Sequence, residues 1–369
     1  MSASRRLSAI SNQTRNSSTK TTMKEAIVSA GPKVTIRDVP VPTPGPYQVV
    51  TKVIYSGSNP KDWKRAEAAP DSSKAVNQGD DISGIVHAVG PSVSEFKPGD
   101  RVIAFHEMMK PGGSYAEYAL SWAHTTIHLP SNISFQAGAA IPLAALTAAV
   151  GLFARLRLPP PWLPATKPIP LIIYGAASAV GAYAIQLASR ANIHPLICVA
   201  GASSAHVESL IDRSKGDTII DYRSGSEAIV QAFRAAAKDT AGGKIEYAFD
   251  AVSEKGSYQA ICQVLNPSTG KITLVLPGKK YADIPEGIEK SVTTVGSVHG
   301  FPDDLKDFGS VAMRYIGKGL EQGWFKPQPH EVVEGGLGGV EEGLRRLKEG
   351  KARAVKYVFE IGQTEGVER

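Results

Sequence analysis

Residues 171–188 read LIIYGAASAVGAYAIQLA, and the centre, GAASAVG, sets Gly175 and Gly181 around Ser178. A β-branched apolar run leads into this loop and an apolar-periodic run leaves it. That strand–turn–helix setting is where a glycine loop holds a pyrophosphate. Gly175 permits the sharp turn, and Gly181 lets the helix pack closely on the strand. The amides of Ala177, Ser178, Ala179 and Val180 then face the phosphates at the positive end of the helix. Ser178 replaces the middle glycine of the usual pattern and adds a hydroxyl donor.

The choice of nucleotide is read at the end of the next strand. A site for the unphosphorylated dinucleotide places Asp or Glu about 20 residues past the loop, on the ribose hydroxyls. Here the strand PLICVA runs into GASSAHV, and no acid occurs between Gly175 and Val207. Ser203, Ser204 and His206 can donate to a 2′-phosphate, and Tyr222 can pack on the adenosine or donate its hydroxyl. The alternative is turn serines and a buried tyrosine. The expected cofactor is NADP(H).

These residues need a scaffold, and the chain supplies two rhythms. Up to about Leu129, short β-branched runs (YQVVTKVIYSG, ISGIVHAVG, FKPGDRVIAF, GSYAEYALS) alternate with Gly-Pro, Pro-Gly and Gly-Gly steps, which predicts a β-rich unit. From Ser134 a helical run, FQAGAAIPLAALTAAVGLFARL, and a stiff connector, LPPPWLPATKPIP, lead to strands and helices in alternation, which predicts a doubly wound parallel sheet. Helices around DLKDFGSVAMRYIGKGLEQG and GGVEEGLRRLKEG and a strand in ARAVKYVFEI close the chain. The expected divisions are residues 1–22 as a tail, 23–145 and 301–369 as the β-rich unit, and 146–300 as the nucleotide unit.

With 369 residues, 42% hydrophobic and 21% charged, the chain has an ordinary globular composition with room for two cores. Its charge of +6 is scattered, so nucleic acid is not an expected partner. The best candidate membrane span, residues 137–154, is alanine-rich, contains Pro142, and reads as a packed core helix. Cys198 and Cys262 read as small buried thiols. Residues 1–22 carry four basic residues and no acid, and fit a disordered tail, a mitochondrial presequence or a start at Met23. The expected location is the cytoplasm, or the mitochondrion if the tail is a presequence.

Taken together, GSNPKDWK at Gly57, GDDISGIVHAVG at Gly79, FKPGDRV at Phe96, GGSYAEY at Gly112, the glycine loop and LKEGKARAVKYVFEI resemble the medium-chain dehydrogenase/reductase superfamily. The resemblance implies a fold of class α/β, a GroES-like β-rich substrate domain plus a Rossmann doubly wound parallel sheet. The zinc alcohol dehydrogenases of that superfamily have a cysteine at the position of Asn59 and Gly-His-Glu at Gly79, Asp80 and Asp81. An amide and a carboxylate are poor substitutes for thiolate and imidazole on tetrahedral zinc, so no metal is expected. The zinc-free quinone and enoyl reductases share the G-x-D-x-x-G run found at Gly79, Asp81 and Gly84.

NPKDWK and LPPPWLP before the loop are most similar to the fungal trans-acting enoyl reductases and toxin-biosynthesis reductases, which partner a polyketide synthase. That resemblance implies cofactor contacts from Asn59, Pro60, Lys61 and Asp62, from Ala177 to Val180, from Tyr222, from Leu276 and Pro277, and from Val355 and Lys356. It implies a substrate channel lined by Ile141, Pro142, Leu143 and Thr147. The group tends to monomers, whereas quinone reductases are often dimers.

Without a Lewis acid, reduction of an activated C=C bond is the expected reaction. Hydride goes to the β-carbon of an enoyl thioester, enone or quinone, and donors stabilise the resulting enolate. Asn59 and Lys64 are the candidates for orienting the cofactor or holding the enolate, against a turn asparagine and a solvated lysine. The stretch after NPKD has no tyrosine to serve as proton donor, so solvent is left for that role. The histidines His87, His106, His124 and His128 lack metal spacing and read as structural. The alternatives are a zinc-independent alcohol or carbonyl oxidoreductase and a nucleotide-binding accessory protein without turnover.

Overall fold

The structure is a computed structural model that describes residues 21–367 except 70, 72, 74, 239–242 and 244. The N-terminal tail reading falls, for residues 1–20, outside the described residues. The amide of Val41 donates to the Thr21 carbonyl, and the first strand already starts at Thr22.

The front of the chain forms β1 (Thr22–Ser29), β2 (Lys33–Pro40), β3 (Gln48–Gly57), α1 (Pro60–Ala68), β4 (Asp81–Val89), β5 (Arg101–Phe105), β6 (Tyr118–Trp122) and β7 (Thr126–His128). β3 is the hub of this unit, antiparallel to β4 on one edge and to β6 on the other. Gly84 and Gly90 let the backbones meet: a Cβ on either would lie 2.1 Å or less from a neighbouring carbonyl oxygen. β1 and β2 pair with each other as a separate ribbon.

Two short helices, α2 (Phe135–Gly138) and α3 (Pro142–Ala149), then lead into a π-helical stretch, Val150–Arg155. This run has the length and apolar character of a membrane span, with a mean hydropathy of 1.9. Yet 83% of that window is buried inside the protein, as the core-helix reading expects. Residue 145 lies in mid-helix, so the helix runs unbroken across the division expected there. Gly151 makes the crossing feasible, because a Cβ there would sit 2.2 Å from the ring of Phe249.

The second unit runs β8 (Leu171–Tyr174), α4 (Ala179–Arg190), β9 (Leu196–Ala200), α5 (Ser204–Glu208), β10 (Thr218–Asp221), α6 (Ser226–Ala237), β11 (Tyr247–Asp250), α7 (Ser257–Cys262), β12 (Lys271–Leu274) and β13 (Glu289–Val292). All six strands are parallel, in the order β10-β9-β8-β11-β12-β13. The chain starts at the centre, winds outward to one edge, then returns to fill the other. That reversal opens a crevice between β8 and β11 at the carboxyl ends of the strands, where such sheets bind ligands. The glycine loop follows β8 and lies at that point.

α8 (Lys306–Gln322), β14 (His330–Val332), α9 (Val340–Lys348) and β15 (Lys356–Glu360) return to the first unit. β15 pairs antiparallel with β3, so the last strand ends in the sheet that the third began. Arg155 at the end of the π stretch donates to both carboxylate oxygens of Asp303 at 2.7 Å, fixing the loop ahead of α8.

Phe249 is fully buried in the apolar cluster shared by the helix run and both units. Replacing it with alanine is expected to destabilise the protein by about 3–5 kcal/mol in urea unfolding. The smaller truncation Phe249→Leu is expected to cost less than half of that.

Candidate active site

The loop after β8 has the geometry a pyrophosphate requires. Gly175 stands at φ +77, where a side chain would be strained and would lie 2.7 Å from Val252. A Cβ on Gly181 would meet the Gly175 carbonyl oxygen at 2.3 Å, so only glycine lets α4 start this close to the strand. Ser178 caps α4, its Oγ accepting from the Gly181 amide at 3.0 Å. The hydroxyl proton stays available, so capping and phosphate donation are compatible roles for it. Ala179 and Val180 form the first turn, with the amides that a helix leaves for a ligand.

Beyond the loop, β9 ends at Ala200 with no carboxylate near it in sequence. Tyr222 lies flat enough on this end that a Cβ at Gly201 would be 2.6 Å from its ring, while half of the tyrosine stays exposed. Ser203 and Ser204 open α5 at the same end. The acid nearby, Asp221 at the end of β10, is held by Arg223, whose hydrogen bonds push its carboxyl down to about 2. His206 departs from the expected placement at the adenosine end alone, since its Nε2 lies 3.2 Å from the Gln328 side-chain oxygen. Leu276 and Pro277 follow β12. The Val275 amide donates to Ser253 Oγ, which ties that turn to the one after β11.

Facing this crevice from the first unit is a buried cluster of charges. Asn59 caps α1, and its amide donates to Asp62 Oδ2 at 2.7 Å. Its side chain donates to Asp81 Oδ2 at 2.7 Å and accepts from Lys356 Nζ at 3.0 Å. Lys356 also reaches Asp81 at 2.6 Å, and the other Asp81 oxygen accepts from the Leu143 amide at 2.7 Å. Both polar atoms of the Asn59 side chain are therefore engaged by protein, with Asp81 on one side and Lys356 on the other. Gly57 leaves room for this arrangement: a Cβ there would approach the Lys356 Cε, Asp81 Cβ and Ala139 carbonyl.

The neighbouring residues extend the cluster. Lys61 pairs with Asp62 at 2.7 Å and with Asp80, and Tyr115 donates to Asp62 at 2.6 Å. Lys61 thus turns into the protein, and Pro60 occupies the first turn of α1. Burial alone would lower the Lys61 ammonium, but the Asp62 and Asp80 carboxylates overcome it and hold it up. For Asp62 burial wins and raises the carboxyl, whereas Lys61 and His106 overcome burial at Asp80 and lower it. Both ring nitrogens of His106 face acceptors, Asp80 Oδ1 at 2.8 Å and the Pro111 carbonyl at 3.2 Å. Three carboxyl groups, two lysines and this imidazole thus meet in one buried network.

Lys64, one turn along α1, stays half-exposed at the rim. Its ammonium lies 3.4 Å from both oxygens of Glu254, which follows β11 in the nucleotide unit. Along the expected channel, Leu143 and Thr147 keep slight exposure at helical spacing, Pro142 is buried and Ile141 is sealed in the core. His299 stacks on Phe105 beside this wall, and burial pushes its imidazole down to about 3.

Asp81, Tyr115, Glu254 and Gln328 were not among the expected site residues. Asp81 was visible within GDDISG, but nothing local marks the others. Glu254 meets Lys64 across 190 residues and Gln328 meets Ala177 across 151. Among the described residues no group of three or more His, Cys, Asp or Glu has metal-binding geometry.

Comparison with known proteins bears on this arrangement. A family profile for the alcohol dehydrogenase GroES-like domain matches residues 45–131. The chain is 58% identical over 329 residues to the trans-enoyl reductase fsr4 of Gibberella fujikuroi, covering 89% of this chain and 94% of that protein. Among solved structures it is similar to an alcohol dehydrogenase superfamily protein from Novosphingobium aromaticivorans (TM-score 0.75, 21% identity, 92% and 99% of the two chains). It is likewise similar to the CurK enoyl reductase (TM-score 0.72, 19% identity, 92% and 99%).

Two outcomes are expected from the cluster. Lys356→Met leaves Asp81 buried without its cation and is expected to destabilise the fold by about 3–5 kcal/mol, while Lys356→Met with Asp81→Asn loses less than the sum of the two single changes in urea unfolding. His299 is held neutral in the folded state at pH values where the unfolded chain protonates it. Stability is therefore lost as pH falls from about 6.5 toward 3. His299→Gln is expected to flatten that part of the stability–pH curve by up to one proton.

Proposed function

The chain belongs to the trans-enoyl reductases of the medium-chain dehydrogenase/reductase superfamily, and from that premise we propose that it uses NADPH to reduce the C=C bond of an enoyl thioester borne by the carrier domain of a polyketide synthase. The observation that carries the reading is the Asn59–Asp81–Lys356 cluster. A lysine ammonium is fixed on Asn59 and Asp81, two positions at which the zinc enzymes that the sequence resembles carry cysteine and glutamate, in a protein whose glycine loop has a phosphate-binding form.

The residues fit the dinucleotide. Gly175 and Gly181 make a cradle that a Cβ would fill, and the amides of Ala179 and Val180 suit the pyrophosphate. The acid-free end of β9, the hydroxyls of Ser203 and Ser204 and the exposed face of Tyr222 support a 2′-phosphorylated adenosine over its unphosphorylated form. Bound, the nicotinamide supplies the hydride. The protein aligns the enoyl group along Leu143 and Thr147 so that its β-carbon receives that hydride. Charge moves to the thioester oxygen, and the Lys64 ammonium, half-exposed at the rim, is the group that would stabilise it. A proton from solvent then reaches the α-carbon, so the product gains one hydride and one proton.

The test is NADPH consumption by the purified protein with a short enoyl thioester, a quinone and a simple ketone. Turnover of the enoyl thioester with kcat/KM at least ~10-fold better for NADPH than for NADH is expected from the missing ribose carboxylate. Lys64→Met is expected to lower kcat about 100-fold with little change in NADPH affinity. Turnover confined to ketones would replace this reading with a carbonyl oxidoreductase, and binding without turnover would indicate an accessory role.

A further inference from the structure

Gln328 lies just ahead of β14, is 2% exposed, and joins segments that arrive from five parts of the chain. Its side-chain nitrogen donates to the Ala177 carbonyl in the glycine loop at 3.3 Å and to the Ala354 carbonyl at 3.0 Å. Both acceptors are carbonyls, so the amide nitrogen must face them. The remaining side-chain oxygen faces His206 Nε2 at 3.2 Å. The backbone amide of Gln328 donates to the Tyr183 hydroxyl at 2.9 Å, and that hydroxyl donates to the Ala140 carbonyl at 3.0 Å. Tyr183 stands on α4, and Ala140 stands at the start of the helix that carries Leu143.

Ala354 gives this contact its meaning. It adopts φ +54, in the left-handed region that disfavours a side chain, immediately before Val355 and Lys356. A strained backbone persists only where its surroundings over-determine it. The Gln328 donation to Ala354 is one such restraint, and the Lys356 amide donates to the Pro329 carbonyl, one residue along from Gln328, at 2.8 Å. The direction in which Lys356 enters the Asn59–Asp81 cluster is thus set beside the residue that holds the glycine loop.

We propose that Gln328 is a positioning residue that registers the nucleotide loop against the start of β15, so that cofactor affinity and the alignment of Lys356 are set by one side chain. The proposal rests on the NADPH-dependent reading above. Gln328 touches neither the reacting atoms nor the expected phosphates; it acts through Ala177, His206 and Ala354.

Two substitutions separate its contacts. Gln328→Leu removes both donations and the acceptor for His206. Gln328→Glu keeps an acceptor for His206 but cannot donate to either carbonyl. NADPH and NADH affinities are measured by calorimetry, and turnover with the enoyl thioester, on protein whose folding is checked by circular dichroism. Gln328→Leu is expected to weaken NADPH binding about 10-fold, lower kcat about 10-fold and narrow the preference for NADPH over NADH. Gln328→Glu is expected to lose kcat while keeping more of that preference. Adding Ala354→Gly to either variant relieves the left-handed strain and is expected to recover kcat at least ~3-fold without recovering NADPH affinity. If Gln328→Leu does not fold, the Gln328→Glu pair carries the same comparison.

A purely structural role would lower the melting temperature and leave the affinities and kcat of the folded protein within twofold of the parent, which would overturn the proposal. So would loss of kcat that Ala354→Gly does not relieve. An unsubstituted protein that binds neither nucleotide would overturn the proposed function itself, before any variant is compared.

Discussion

The carboxylate of Asp81 is fully buried, and three parts of the chain are placed by it. One oxygen takes the Asn59 amide and the Lys356 ammonium, and the other takes the Leu143 amide at the start of α3. A buried charge of this kind is tolerated only when its partners are in place, so α1, β15 and α3 are brought to fixed positions around one atom group. Each of these elements carries a residue used in the proposed reading: α1 carries Lys64, β15 begins with Lys356, and α3 carries Leu143 and Thr147.

The surrounding network follows the same electrostatic logic. Asp62, Asp80 and Asp81 lie against Lys61, Lys356 and the imidazole of His106, and Tyr115 donates to the Asp62 oxygen that also accepts from the Asn59 amide. This pairing offsets part of the desolvation cost of burying the carboxyl groups. It also confines the exposed cation at this face of α1 to Lys64, at the rim, where Glu254 meets it from the opposite unit. Positive charge is therefore available at the mouth of the crevice and locked beneath it.

The parts that could be read from the sequence were those encoded locally. GAASAVG announced its own turn and helix, because Gly175 and Gly181 are required by contacts within the motif and with the turn after β11. Alternating apolar runs announced the parallel sheet, and Pro142 marked the start of α3. What residues such as Lys61 and Asn59 contact was not local information. NPKDWK marks them for the cofactor, yet both side chains face inward, toward carboxylate partners at the start of β4: Asp81 opens that strand and Asp80 immediately precedes it. The sequence points His206 toward a phosphate and gives no sign that one of its ring nitrogens also meets Gln328, from a segment more than a hundred residues away. Spacing carries no trace of such a meeting; only the return of the chain to the first sheet creates it.

The unbroken helix from α3 into the π stretch has a consequence for how this protein can change over evolutionary time. The apolar cluster around it includes Ile103, Phe105 and Ile127 of the front sheet together with Leu171, Ile173 and Phe249 of the parallel sheet. Two modules that met only at a polar seam could be exchanged by recombination between genes. Here a crossover near residue 145 would join halves whose side chains were never fitted to one another, within a single packed interior. Inheritance should therefore keep the two units together, and new specificity should arise by substitution along the crevice walls rather than by the swapping of domains.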